Sequence, residues 1–135
     1  MSQDRATFQQ LAETRLAEAK LLLANGLPSG AYYLAGYTIE CALKARIAKD
    51  FRAGEIPDRK LVDRVYVHDL NKLLGLAGGL ETAMNEDLNL RKRWTTVARW
   101  SESARYIAWT QEDAIAILDA IDGDEGLLQW LRNRW

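Results

Sequence analysis

Apolar side chains return at Phe8, Leu11, Ala12, Ala19, Leu22 and Leu23, the three-and-four spacing that lays one face along an α-helix. This predicts a helix from about Asp4 to Ala24, closed by Asn25-Gly26, residues that tolerate the left-handed conformation of a helix C-terminus. In the next run Ala31, Ala35, Thr38, Ile39 and Ala42 share a face. It predicts a second helix, capped by Ser29 and reaching about Phe51, whose small residues allow a neighbour to approach closely. Beyond Pro57 the stretch Asp58 to Val67 is predicted to be an ordered loop, because the strand-like Val65-Tyr66-Val67 has no partner. Asp69 caps a short predicted helix, Leu70 to Leu76, stopped by Gly78-Gly79. A long helix from about Leu80 or Asn85 to Arg105 is expected to turn Leu90, Trp94, Val97 and Ala104 inward. Two shorter ones, Glu112 to Ile121 and Leu127 to Arg134, follow, separated by the acidic, Gly-containing turn at 122–126.

The expected class is therefore all-α. At 135 residues the chain is large enough to bury one continuous core, and 1–135 reads as a single domain. Eighteen basic residues against 19 acidic ones leave a net charge of -1, so no general attraction to polyanions or anionic membranes is expected. Any nucleic-acid site has to be local. The balance is nonetheless uneven along the chain: Arg91 to Tyr106 carries five basic residues and one acid, while Gln111 to Gly126 carries six acids and no base. The polar opening, Met1 to Phe8, and the lack of a long apolar run predict neither an export signal nor a membrane span. With one cysteine, Cys41, an internal disulfide is excluded and a reducing cytoplasm is the expected location.

The inventory narrows the chemistry. His68 is the only histidine, so zinc sites and di-iron bundles, which need several Cys or His ligands or repeated Glu-x-x-His pairs, cannot be assembled. No metal and no cofactor is predicted. Gly75, Gly78 and Gly79 follow a helix and lack a succeeding Lys-Ser or Lys-Thr, so they form a turn and no phosphate loop. Cys41, inside an alanine-rich helix, reads as a small packing residue.

Three constellations are candidates for binding. Tyr33, Tyr37, Glu40 and Lys44 recur at steps of four, three and four, forming a stripe roughly opposite the alanine face. It reads equally as a dimer or ligand groove, with tyrosines giving flat contact area, and as an intrahelical Glu-Lys pair bordered by core tyrosines. Arg15 lies on the apolar arc of the first helix, where a charge needs a carboxylate, and Glu18 and Glu40 are the candidates. Arg91, Lys92 and Arg93 beside Trp94, continuing to Arg99-Trp100 and Arg105-Tyr106, interleave cations with aromatics, the combination that grips phosphates and stacks on unpaired bases. The competing reading is a solvated basic face matched by the acidic segment after it.

The stretch Arg15 to Lys44, with Ala31-Tyr32-Tyr33-Leu34-Ala35-Gly36-Tyr37 and Ile39-Glu40-Cys41-Ala42-Leu43-Lys44-Ala45, resembles the first helical hairpin of HEPN domains. His68-Asp69-Leu70 with Leu73-Leu74 is similar to the family's His-Asp-Leu element, and Ser103-Ala104-Arg105-Tyr106 to its Ser-Arg-Tyr region. The resemblance spans roughly Arg15 to Leu131. It implies an up-and-down antiparallel four-helix bundle with additional short helices, commonly a homodimer in prokaryotic cytoplasm. Some HEPN proteins are metal-independent endoribonucleases, often toxins, that use an Arg followed shortly by a His on a late helix. Others lack that pair and bind RNA, a nucleotide or a protein, sometimes a small nucleotidyltransferase in a toxin-antitoxin setting.

Here Arg105 is followed by Tyr106-Ile107-Ala108-Trp109-Thr110-Gln111, with no histidine. The leading expectation is thus a non-catalytic, homodimeric interaction module that binds through Tyr33, Tyr37, Glu40, Lys44, Arg91, Arg99, Arg105 and Tyr106. One alternative is an endoribonuclease using Arg64 and His68 with Arg105, in which histidine moves the 2′-hydroxyl proton and arginine stabilises the phosphorane. Another is a purely structural partner subunit.

Overall fold

The computed structural model describes residues 4–52 and 54–135, so Met1 to Gln3 of the polar opening lie outside the described residues. Among the described residues all regular structure is helical. No helix is long and apolar enough to cross a membrane.

Helix α1, Arg5–Ala24, starts at Asp4, whose carboxylate accepts the Thr7 N–H at 2.8 Å, and it ends at Asn25 with Gly26 at φ +73°. It buries Ala12, Leu16 and Ala19 along the face that packs on α2, Pro28–Lys49. Ser29 does not cap α2. The helix begins one residue earlier with Pro28 at its first position, where a missing N–H costs nothing. The Ser29 hydroxyl instead accepts the Trp109 N–H at 2.9 Å, tying the start of α2 to a distant loop.

α2 is the hub of the molecule. It touches α1, α4, a 3-10 turn and both C-terminal helices, and it is buried on nearly every side from Thr38 to Ala45. A helix enclosed this way needs small or apolar residues all round, which explains the alanines and Gly36. It also means that the Glu40 and Lys44 side chains, expected on a display stripe, are buried.

The connection after Pro57 is not a loop. Asp58 accepts the Lys60 N–H and starts helix α3, Arg59–Val65. Helix α4, Leu70–Leu76, begins at the expected cap, with Asp69 accepting the Lys72 N–H at 3.0 Å.

The single long helix expected to reach Arg105 is broken into α5, Leu80–Asn85, α6, Leu88–Val97, and a 3-10 turn, Glu102–Tyr106. Asp87 adopts extended backbone and caps α6 through the Leu90 N–H, so one helix stops and another starts there. The second break follows from Trp100. Its ring is 3 % exposed and stands in the notch left by Gly36 on α2, with its indole N–H donating to the Tyr33 carbonyl at 3.0 Å. Burial of a tryptophan outweighs the weak helix preference of the residues around it.

Helix α7, Gln111–Asp122, carries a reciprocal cap between Thr110 and Asp113, and α8, Leu127–Arg132, closes the core with Leu127, Leu128 and Leu131. The basic and acidic segments do meet. Arg93 reaches the main-chain carbonyls of Asp119 and Asp124 at 2.6 and 2.5 Å and engages no carboxylate there.

Candidate functional site

Three segments of the chain converge on His68. It stands just before the cap of α4, facing Glu40 from α2 and Glu102 from the 3-10 turn. Glu40 is 2 % exposed, and its two oxygens are divided: Oε1 accepts the His68 Nδ1–H at 3.0 Å, and Oε2 accepts from Lys44 Nζ at 3.4 Å. A carboxylate can only accept, so this bond fixes the proton on Nδ1 and aims Nε2 outward. The His68 side chain is 46 % exposed, and Nε2 lies 3.5 Å from Glu102 Oε2. That second contact is attractive only for the imidazolium, since a neutral ring presents a lone pair to another lone pair.

Glu102 also faces Arg105, whose Nη2 is 3.6 Å from Oε1. Lys44, Glu40, His68, Glu102 and Arg105 therefore form one line of alternating charge capacity from the core to the surface. Arg105 is exposed at the outer end of this line, in the last turn of the 3-10 segment. Its guanidinium lies 4.8 Å from the Tyr106 ring centroid, and Tyr106, with the Glu102 carboxylate, holds it more firmly in the charged form.

The tyrosines of the stripe border this line. Tyr33 packs against Tyr37 and Trp100, and burial raises the Tyr37 phenol above its usual range. Burial, with Glu40 nearby, pushes the Cys41 thiol up to about 12, the behaviour of a packing residue and not of a nucleophile. Arg15 meets Glu18, one of its two candidate partners, and Glu40 goes to His68 instead.

The remaining sequence-predicted residues lie elsewhere. Arg64 is in the last turn of α3, exposed, beside an open groove shared with Lys72. His68 lies beyond the end of that helix, so the pair does not share a helical face. Arg99 is exposed close to Tyr32, which stacks on Trp109 at 3.8 Å between centroids.

Arg91 lines a separate groove of about 350 Å³ with Lys92, Trp94, Asn71, Met84 and Leu88. Trp94 donates its indole N–H to the Asn71 side chain at 3.1 Å, which fixes the ring as one wall. Arg91 and Lys92 are exposed and make no ion pair among the described residues. Glu81 contributes the groove's carboxylate. Among the described residues no group of His, Cys, Asp and Glu is placed to hold a metal ion.

No family model, curated protein or solved structure matches the chain.

Sequence reasoning did not link His68 to Glu40 or Glu102. The available signal was a lone histidine next to a helix cap and a carboxylate on the most apolar helix, where an unpaired charge is costly. Each needed the other.

Proposed function

We propose that the chain is a non-catalytic, HEPN-like interaction module that works as a homodimer and binds single-stranded RNA or a nucleotide along α6. The observation that carries this is the pairing of two uncommitted cations, Arg91 and Lys92, with the fixed indole wall of Trp94. Aromatic stacking contributes about 1–3 kcal/mol per base, and phosphate contacts supply the rest in a salt-dependent way. The histidine site is less suited to a phosphodiester, because carboxylates stand at both ring nitrogens of His68.

One observation favours the endoribonuclease reading: Glu102 brings His68 and Arg105 to a single carboxylate, and a substrate that displaced Glu102 would find both. Labelled mixed-sequence RNA incubated with the protein in EDTA separates the two. The interaction module retains RNA without cutting it, and Arg91→Ala lowers affinity and flattens the salt dependence by about one phosphate contact. Cleavage abolished by His68→Ala would replace this reading with the enzyme. Absence of both binding and cleavage would refute each.

A further inference from the structure

Among the described residues Lys44 is the most deeply buried cation. Its side chain is 10 % exposed, yet its only hydrogen bond is the 3.4 Å contact with Glu40. An ammonium has three donors, and burying one with so little compensation is costly. Glu40 divides its two oxygens between Lys44 and His68.

Lys44 also lines a second, more enclosed cavity of about 220 Å³, at the inner end of the His68 line and away from the Trp94 groove. Phe8 from α1, Phe51 after α2, Pro57, and Val65 and Tyr66 at the end of α3 form its walls. Among the described residues no acidic side chain lines it. The space is roughly seven times a water molecule's ~30 Å³ share of the liquid, which suits a ligand of about ten non-hydrogen atoms. Apolar walls with one lysine among them are the usual form of a small-molecule site, in which the body is buried by apolar contact and one charged group sets orientation.

We propose that this cavity binds a small monocarboxylic acid with an aromatic or branched apolar body, its carboxylate received by Lys44. A phosphate fits poorly, having no apolar part to cover the aromatic walls and too strong a hydration to give up. A neutral amide can accept one hydrogen bond from the ammonium but brings no charge to balance it. The bound carboxylate competes with Glu40 for the same cation, and this gives the proposal a distinctive consequence: weakening Glu40 strengthens the ligand.

The test is calorimetric titration of the whole chain with phenylacetate, 3-methylbutanoate, and the neutral phenylacetamide, with amide chemical shifts locating the site. Phenylacetate is expected to bind at least about tenfold tighter than phenylacetamide, with shifts concentrated at Ala48, Val62 and Val65. Glu40→Gln, which keeps an acceptor for His68 but removes the competing charge, is expected to tighten phenylacetate binding about tenfold. Val65→Trp, which fills the cavity without replacing Lys44, abolishes it, and Lys44→Met removes the preference for the acid over the amide. Equal binding of acid and amide, weaker binding in Glu40→Gln, or no binding of either acid at millimolar concentration overturns the proposal.

Discussion

Replacing Gly36 with alanine is the sharpest test of how the two halves of the molecule are joined. A methyl group built there comes within 2.1 to 2.3 Å of three ring carbons of Trp100, where ordinary contact is ~3.5–4.0 Å. The indole therefore has to retreat by more than about 1 Å. Retreat breaks its hydrogen bond to the Tyr33 carbonyl, 3.0 Å in the native chain. Overpacking costs about 1–3 kcal/mol and the lost bond about 1 kcal/mol. Against this stands about 1 kcal/mol gained by exchanging glycine for alanine inside a helix. The balance is a loss of about 1–3 kcal/mol, read from urea unfolding followed by helical ellipticity. The sign is expected to reverse in a Trp100→Ala background, where the methyl meets space and the helix preference alone remains. Such coupling is what a double-mutant cycle measures. If Gly36→Ala proves as stable as the parent, or if the two substitutions are additive, Trp100 does not occupy the Gly36 notch.

Three further outcomes follow from the buried and capping groups. Cys41, 1 % exposed with its thiol pushed up to about 12, keeps its proton in the folded chain while the unfolded thiol ionises near its usual ~8.5. The unfolded state thus binds fewer protons across that window, and stability falls as pH rises above ~8.5, by at most about 1.4 kcal/mol per unit from this group. Chevron-midpoint shifts in a Cys41→Ala variant, compared with the parent across that range, read the difference, and an equal slope in both refutes it. Glu40→Ala strands the buried Lys44 ammonium and removes the acceptor that orients His68. A destabilisation of about 3–5 kcal/mol in chemical denaturation is expected, and one below about 1 kcal/mol would contradict the burial of the pair. Thr110→Ala removes one half of the reciprocal cap of α7 and is expected to cost about 1 kcal/mol, with Asp113, whose carboxyl the Thr110 backbone and hydroxyl hold below the usual range, rising toward normal in a carboxylate titration.

The elements that were legible in the sequence are those whose limits are written locally. Asp69 and the Gly78-Gly79 stop bracket α4 within one or two residues, and apolar periodicity with Asn25-Gly26 does the same for α1. The acidic turn divides α7 from α8 for the same reason. Asp87 caps α6 in the structure, but the apolar period runs on past it and predicts one long helix. The period describes which face is buried, and two successive helices can bury the same face. α3 was obscured in the opposite way, by β-branched and aromatic residues at its end that have strand preference but find no strand to pair with.

What no local rule contained is the joining of distant segments. His68 and Glu40 are 28 positions apart, and Trp100 and Tyr33 are 67 apart. Trp100, driven into the Gly36 notch by apolar burial, decides where the chain leaves α6, and the 3-10 turn that follows carries Glu102 and Arg105. The outer half of the polar line over His68 is thus positioned by a contact that contains no charge. The inner half is positioned by Glu40 on the most buried helix, which can hold a carboxylate only because His68 and Lys44 reach it from either side. The apolar contact sets the distance and the ionic one sets the proton. Loosening the Trp100 contact should therefore alter how His68 meets Glu102 while leaving its bond to Glu40 intact.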